Sequence, residues 1–361
     1  MALPGGRGPV ACLLLVLLGL LSCLAGARPA PSAGGAAHQP PDGAAWHSFR
    51  HLQDARRGGR VAGLAELKWY LARYGYMQPR PDHDDAFDEH MELAVRRYQS
   101  RLSLPVTGEL DSATLGRITS PRCTLGDGHG HGASVSVSLS EAAAGRFTFY
   151  DGEPRWTRPA PMALTYAVSP TATVDYLPPE AVRAALRRAF AHWARVIPVV
   201  FVELDASGGD GDGEADIKVG FYGVEHGDGS PFGRDELAHA YGPVDGRVHI
   251  NKAQRWTVDV DAEKRAHRAI DLETVATHEI GHVLGLRHSS SPEAVMYPYI
   301  SPGERKVELT ADDIEGVQLL YGSNPRFRHE VSVSVSPGRS SWLDGSVSLV
   351  CVALALLLTH I

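Results

Sequence analysis

Cysteine is scarce. The chain has 361 residues and four cysteines. Three of these lie in apolar end segments: Cys12 and Cys23 near the start, and Cys351 near the finish. With both ends set aside, only Cys123 remains, which excludes an internal disulfide framework. Basic charge is scarce as well. Lys and Arg number 35 against 42 acids, a formal net charge of −7, so there is no cationic footprint for nucleic acid. Neither apolar end run reaches the ~20 residues needed to span a bilayer comfortably. No N-x-S/T acceptor occurs, because Asn251 precedes Lys-Ala and Asn324 precedes Pro, and this excludes N-glycosylation. No dibasic pair lies between Cys123 and Phe147 to mark a processing point.

The two ends carry addresses. Arg7, the run ACLLLVLLGLLSCL and then Ala25-Gly26-Ala27 have the order of a secretory signal, placing it at residues 1–27. At the other end, the small and polar run SPGRSSWLDGS precedes SVSLVCVALALLLTHI. That is the pattern of a GPI-attachment signal, with a linker and attachment region over 326–345 and a removable apolar tail over 346–361. A short tail anchor is the competing reading. The expectation is a secreted chain on the extracellular face of the plasma membrane, held through a lipid anchor. A lone thiol in that oxidising compartment must be buried, paired with another molecule, or ligated to a metal.

Between the ends the composition shifts twice. Residues 28–45 are rich in Pro, Gly and Ala and predict a disordered leader. From Trp46 the spacing turns helical, with Leu64, Leu67, Leu71 and Tyr74 on one face and Met91, Leu93, Ala94, Tyr98 and Leu102 on another. Asp111 caps a further short helix, giving a small helical domain over 46–123. Residues 124–146 are a Gly, His and Ser-rich linker. From 147 to 325, strand-like MALTYAV, VVFVEL and ADIKVGF alternate with the amphipathic PPEAVRAALRRAFAHWARV, which predicts an α/β domain.

The densest chemistry lies in ETVATHEIGHVLGLRHSSS, residues 273–291. His278 and His282 are one helical turn apart, so both imidazoles leave the same face and suit one Zn²⁺. Glu279 adjoins the first histidine and can reach a metal-held water without ligating. Gly285 can take positive φ and end the helix, letting His288 swing back as third ligand. Three protein ligands leave a position open, which is the catalytic pattern. Surface histidines on a solvated helix would explain neither the apolar back face of Ile280, Val283 and Leu284 nor Gly285. Met296, eight residues past His288, would form an apolar floor under the site, and Thr310 would cap a closing helix.

HEIGHVLGLRH followed by a methionine turn resembles the metzincin signature of the matrix metalloproteinases, the matrixins. The resemblance covers roughly residues 46–325, and TGELDSATL is similar to their peptidoglycan-binding-like prodomain. It implies a mixed α+β metzincin domain, with a twisted sheet and an active-site helix, behind a small all-α prodomain. No haemopexin-like repeat follows Tyr321, so a short plant-type member is the nearest pattern. In this family a propeptide cysteine ligates the catalytic zinc and keeps the precursor latent. By resemblance that cysteine is Cys123, with Arg122 steadying the loop and Asp127 as its salt-bridge partner. Thr124-Leu125-Gly126 stands where the family has Gly-Val-Pro or Gly-Asn-Pro.

The resemblance also implies a structural zinc on His226, Asp228, His239 and His249. Asp216 matches an acid of a calcium site. A neighbouring calcium site loses its acids to Asn251 and Gln254, which predicts weaker calcium binding there. The function implied is a zymogen zinc endopeptidase acting on extracellular proteins or peptides, with its own prodomain as inhibitor. Substrate would lie along the strand containing LAHA. The rival from another class is a catalytically weak cell-surface binding module that uses its helical N-terminal domain.

Overall fold

The computed structural model describes residues 49–127, 146–205, 215–262 and 269–328. The signal-like run, the leader, residues 128–145 of the linker, residues 206–214 and the apolar tail lie outside the described residues. Among those described, no helix is long and apolar enough to cross a membrane.

Residues 49–127 are helical: α1 (Leu64–Arg73), α2 (Glu89–Arg101) and α3 (Ser112–Ile118). The aspartates open two of these helices. Asp88 accepts from the Met91 N–H at 2.8 Å and Asp111 from the Thr114 N–H at 2.8 Å, satisfying donors that the first turn leaves free. One apolar stripe per helix meets a shared core of Leu64, Leu67, Leu71, Met91, Ala94 and Tyr98. Leu93 departs from the expectation: it is 45% exposed, and Val95 takes the buried place. Positions 91, 94, 95 and 98 follow the three-and-four spacing of one helix face, and 93 falls off it.

The second part begins with β1 (Thr148–Phe149) and β2 (Met162–Val168), then α4 (Pro179–Val196), β3 (Val199–Glu203), β4 (Ile217–Tyr222), β5 (Ala238–Ala240) and β6 (Arg247–Asn251). Short β7 (Trp256–Thr257) and β8 (Ile270–Asp271) lead into α5 (Leu272–Val283), β9 (Leu286–Arg287) and α6 (Ala311–Tyr321). Five strands form one sheet in the order β3-β2-β4-β6-β5, parallel except for antiparallel β5 at the edge. This is the mixed sheet expected. α4 buries Val182, Ala185, Leu186, Ala189, Phe190 and Trp193, the stripe read from its sequence. The Trp193 indole donates to Thr277 O at 2.8 Å, which fixes α5 against α4.

Residues 124–127 pair with elements distant in the chain. The Thr124 N–H donates to Ala238 O at 2.9 Å and the Asp127 N–H to Tyr74 O at 3.0 Å. Glycine-rich composition signalled a loop, but backbone pairing with elements far along the chain holds these four residues in place.

Candidate active site

α5 starts where Asp271 accepts from the Thr274 N–H at 2.8 Å and presents His278 and His282 from one face. Both are fully buried. Gly285, at φ 105°, makes the reversal, since an L side chain there would be strained. The chain then returns His288 to the same point. Beneath, Met296 is fully buried, and a methyl on Gly281 would overlap its sulfur and meet Trp193 at 2.9 Å. The methionine therefore needs a bare backbone at Gly281.

The protons on these rings follow from their partners. His278 Nδ1 faces Val295 O at 2.7 Å and His282 Nδ1 faces Leu286 O at 2.8 Å. A carbonyl only accepts, so each Nδ1 carries a hydrogen. Yet the two Nε2 atoms stand 3.1 Å apart, lone pair to lone pair. His288 Nδ1 lies 2.6 Å from Asp127 Oδ1, and its Nε2 is buried with no hydrogen-bond partner. The Cys123 sulfur is 3.5 Å from His282 Nε2. These four donor atoms lie within 4.8 Å of one another. Zn–N bonds of ~2.0 Å and a Zn–S bond of ~2.3 Å put tetrahedral donors about 3.3–3.5 Å apart. Three converging imidazole lone pairs with a thiol beside them fit a zinc ion.

Burial holds all three imidazoles in the neutral, ligating form. It pushes His278 and His282 well below the ordinary range and His288 down to about 4. Burial also raises the Glu279 carboxyl to about 8. Both Glu279 oxygens are buried with no nitrogen or hydroxyl donating to them, and the neighbouring Cys123 thiol pulls the pKa back down against burial. A carboxylate buried beside a metal-ligating set needs a cation or a water to offset its desolvation.

The segment carrying Cys123 fills the cleft. The Arg122 N–H donates to Asp235 O at 3.0 Å, the Leu237 N–H to Arg122 O at 2.9 Å, and the Cys123 N–H to Pro298 O at 2.9 Å. The segment thus lies between the approach to β5 and the 298–300 wall, running parallel to the former at Arg122 and Glu236. The fully buried Arg122 guanidinium donates to Asp127 Oδ1 at 2.8 Å, Tyr299 Oη at 3.1 Å and Cys123 O at 3.0 Å, and lies 3.5 Å from the Tyr74 ring centre. The Tyr76 hydroxyl donates to Asp127 at 2.5 Å. The Thr124 hydroxyl, where the family has glycine, is buried without a partner.

A second cluster sits behind the edge strand. His239 on β5 faces His249 on β6 across the antiparallel pair, and His226 and Asp228 come from the preceding loop. Their nearest nitrogens lie 2.9, 2.8 and 2.8 Å from Asp228 Oδ2 for His226, His239 and His249. His239 and His249 stand 3.2 Å apart. Burial lowers both of their pKa values, His249 to about 4. Four closed ligands match a structural zinc.

The calcium-related positions behave differently. The Asp216 carboxylate is paired with Arg158 and accepts from the Thr165 N–H at 2.9 Å. Asn251 donates to Glu236 O at 2.7 Å and Gln254 to Arg234 O at 2.5 Å. Amide hydrogens thus fasten this loop where the family pattern has acids. Among residues the sequence did not single out, Glu236, Tyr297 and Tyr299 touch the helical domain. Nothing local marks them, since their partners lie far away in the chain.

Residues 155–322 match the family model described as Matrixin, and residues 60–118 match the Putative peptidoglycan binding domain. Metalloendoproteinase 1-MMP of Arabidopsis thaliana is 43% identical over 84% of this chain and 80% of its own length. Metalloendoproteinase 4-MMP of the same plant is 44% identical over 78% and 79%. Metalloendoproteinase 1 of Glycine max is 38% identical over 86% of this chain and 97% of its own.

Proposed function

Since the chain belongs to the matrixin family and is a zinc-dependent metalloendopeptidase, we propose that it is made as a latent precursor whose lock is Cys123. His278, His282 and His288 would hold the zinc, with Cys123 as fourth ligand while the precursor is intact. When bound, the zinc supplies a Lewis acid for the scissile carbonyl and acidifies the attacking water. Glu279 takes the proton from that water and passes it to the departing amine nitrogen. The edge strand β5 offers main-chain groups to an extended substrate once the Cys123 segment has left. Met296 forms the floor that keeps the histidines in position. His226, Asp228, His239 and His249 would hold a second, structural zinc. A calcium ion at Asp216 would have to displace Arg158 from its carboxylate.

The observation that carries this reading is the meeting of four buried donor atoms within 4.8 Å, with the buried Glu279 carboxyl beside them. The signal-like 1–27 run and the GPI-like C-terminal pattern support secretion and lipid anchoring, with extracellular proteins or peptides as substrates. The rival reading, a surface binding module whose helical domain would grip a glycan, is disfavoured by where the tyrosines of that domain lie. Tyr70, Tyr74, Tyr76 and Tyr98 are buried in its core or against the cleft, not displayed for a sugar.

The test is Glu279→Ala in the processed protein. Metal counting should find zinc retained, while casein or peptide hydrolysis falls by roughly 10²–10⁴-fold, the usual share of a general base. A zinc chelator should abolish wild-type hydrolysis. Activity in Glu279→Ala close to wild type would remove that residue from the mechanism.

A further inference from the structure

Arg73, the last residue of α1, ends against a socket of acceptor atoms of the catalytic part. Its Nε donates to Glu236 Oε1 at 2.8 Å and its Nη2 to Glu236 Oε2 at 2.8 Å. The same Nη2 donates to Pro231 O at 3.1 Å. This is the two-pronged geometry by which a guanidinium grips a carboxylate, and a lysine ammonium cannot reproduce it. The Glu236 side chain is 5% exposed.

The socket has its own supports. The Gly233 N–H donates to Glu236 Oε2 at 2.6 Å, and Asn251 holds the Glu236 carbonyl. Gly233 shares the loop of Glu236 and Asn251 ends β6, so both remain when the helical part departs. Tyr74, which donates to Oε1 at 2.5 Å, leaves together with Arg73. Removal of the prodomain therefore strips the carboxylate of its ion-pair partner, Arg73, and of one hydroxyl. A carboxylate so placed draws a replacement cation.

The position of the socket says where that cation comes from. Glu236 adjoins Leu237, whose N–H pairs with the Cys123 segment, and Arg122 is bridged directly to Glu236. An extended peptide lying on the same main-chain track passes directly by the carboxylate. We propose that the Glu236 carboxylate and the Pro231 carbonyl form a recognition site for an arginine side chain of the substrate, which Arg73 occupies in the precursor. This rests on the protease reading and on departure of the prodomain before substrate enters.

The experiment uses full-length chain processed to remove the prodomain. Paired peptides carry arginine or its neutral isostere citrulline at each of three positions on either side of the cleaved bond. At one position, kcat/KM for arginine should exceed that for citrulline by about tenfold, the usual scale of a charge-assisted hydrogen-bonded pair. In Glu236→Gln that ratio should collapse toward one, with zinc content confirming that the variant is folded. Should Glu236→Gln not fold, the wild-type ratio still decides, and raised salt should shrink it. Ratios near one at every position in wild type, or a ratio that survives Glu236→Gln, would overturn the site and leave Arg73–Glu236 as a latch only. If processed wild type cuts neither peptide of any pair, the protease reading itself fails and this inference falls with it.

Discussion

At Cys123 two forces oppose each other. Burial pushes the thiol well above its ordinary range, yet three neutral imidazoles point at the same spot, and a zinc ion there deprotonates a coordinating thiol outright. A hydroxyl is a far poorer ligand at neutral pH. Cys123→Ser should therefore open the metal position while Arg122, Asp127 and Tyr76 keep the segment seated. The intact precursor is expected to cleave a peptide before any processing, measured alongside a gel that shows it uncut. A serine variant as silent as wild type would mean that the thiol is not the lock. Gly281 illustrates a different kind of constraint. It sits between Ile280 and His282 without chemistry of its own, and its lack of a side chain is what admits the Met296 sulfur.

At the scale of elements, Glu273 in the first turn of α5 gathers three partners. His192 lies 2.9 Å away, Arg188 donates at 2.7 Å and Arg305 at 3.0 Å, joining α4, α5 and the loop before α6. Burial alone would raise this carboxyl; the hydrogen bonds from His192, Arg188 and Arg305 outweigh it and bring the pKa down to about 2. A pKa held below its unfolded value of ~4.3 adds stability above that pH, and the gain is lost as pH falls toward 2. Wild type should therefore lose thermal stability through this acid window more steeply than Glu273→Gln, followed by unfolding temperature against pH. Parallel curves would show that the three partners do not stabilise the ionised form. None of this was legible in the sequence. The helices were, because α4 and α5 repeat apolar residues at helical spacing and carry their own start signals. Leu93 neighbours the buried face in the chain but points away from it by angle around α2, which is why proximity alone misassigns it. The histidine sets were legible through local spacing and family resemblance, whereas the acid-base pairings between elements have no local signature.

The whole molecule is held in its closed form by contacts that no local pattern could reveal. Tyr70 meets Tyr299 across 229 positions of the chain and Arg73 meets Glu236 across 163. Tyr297 and Tyr299, from the wall after the methionine turn, are buried in the core of the helical part. The Tyr299 hydroxyl is the junction, 2.9 Å from Tyr70 Oη, 2.7 Å from Tyr98 Oη and 3.1 Å from Arg122 Nη1. Removing that one oxygen leaves three buried polar groups each short of a partner, at a cost on the order of 1–3 kcal/mol. The cost falls on the closed precursor, because those partners all belong to the helical part, which the proposed processing would remove. Tyr299→Phe should thus raise the activity of uncut precursor, relative to its own processed form, by roughly tenfold, since about 1.4 kcal/mol of lost seating shifts an equilibrium tenfold. Combined with Cys123→Ser the leak should grow further, because the metal ligand and the hydroxyl junction resist opening at different places. An unchanged ratio in Tyr299→Phe would mean that the sulfur alone keeps the cleft shut and that the tyrosine network only stiffens the helical part.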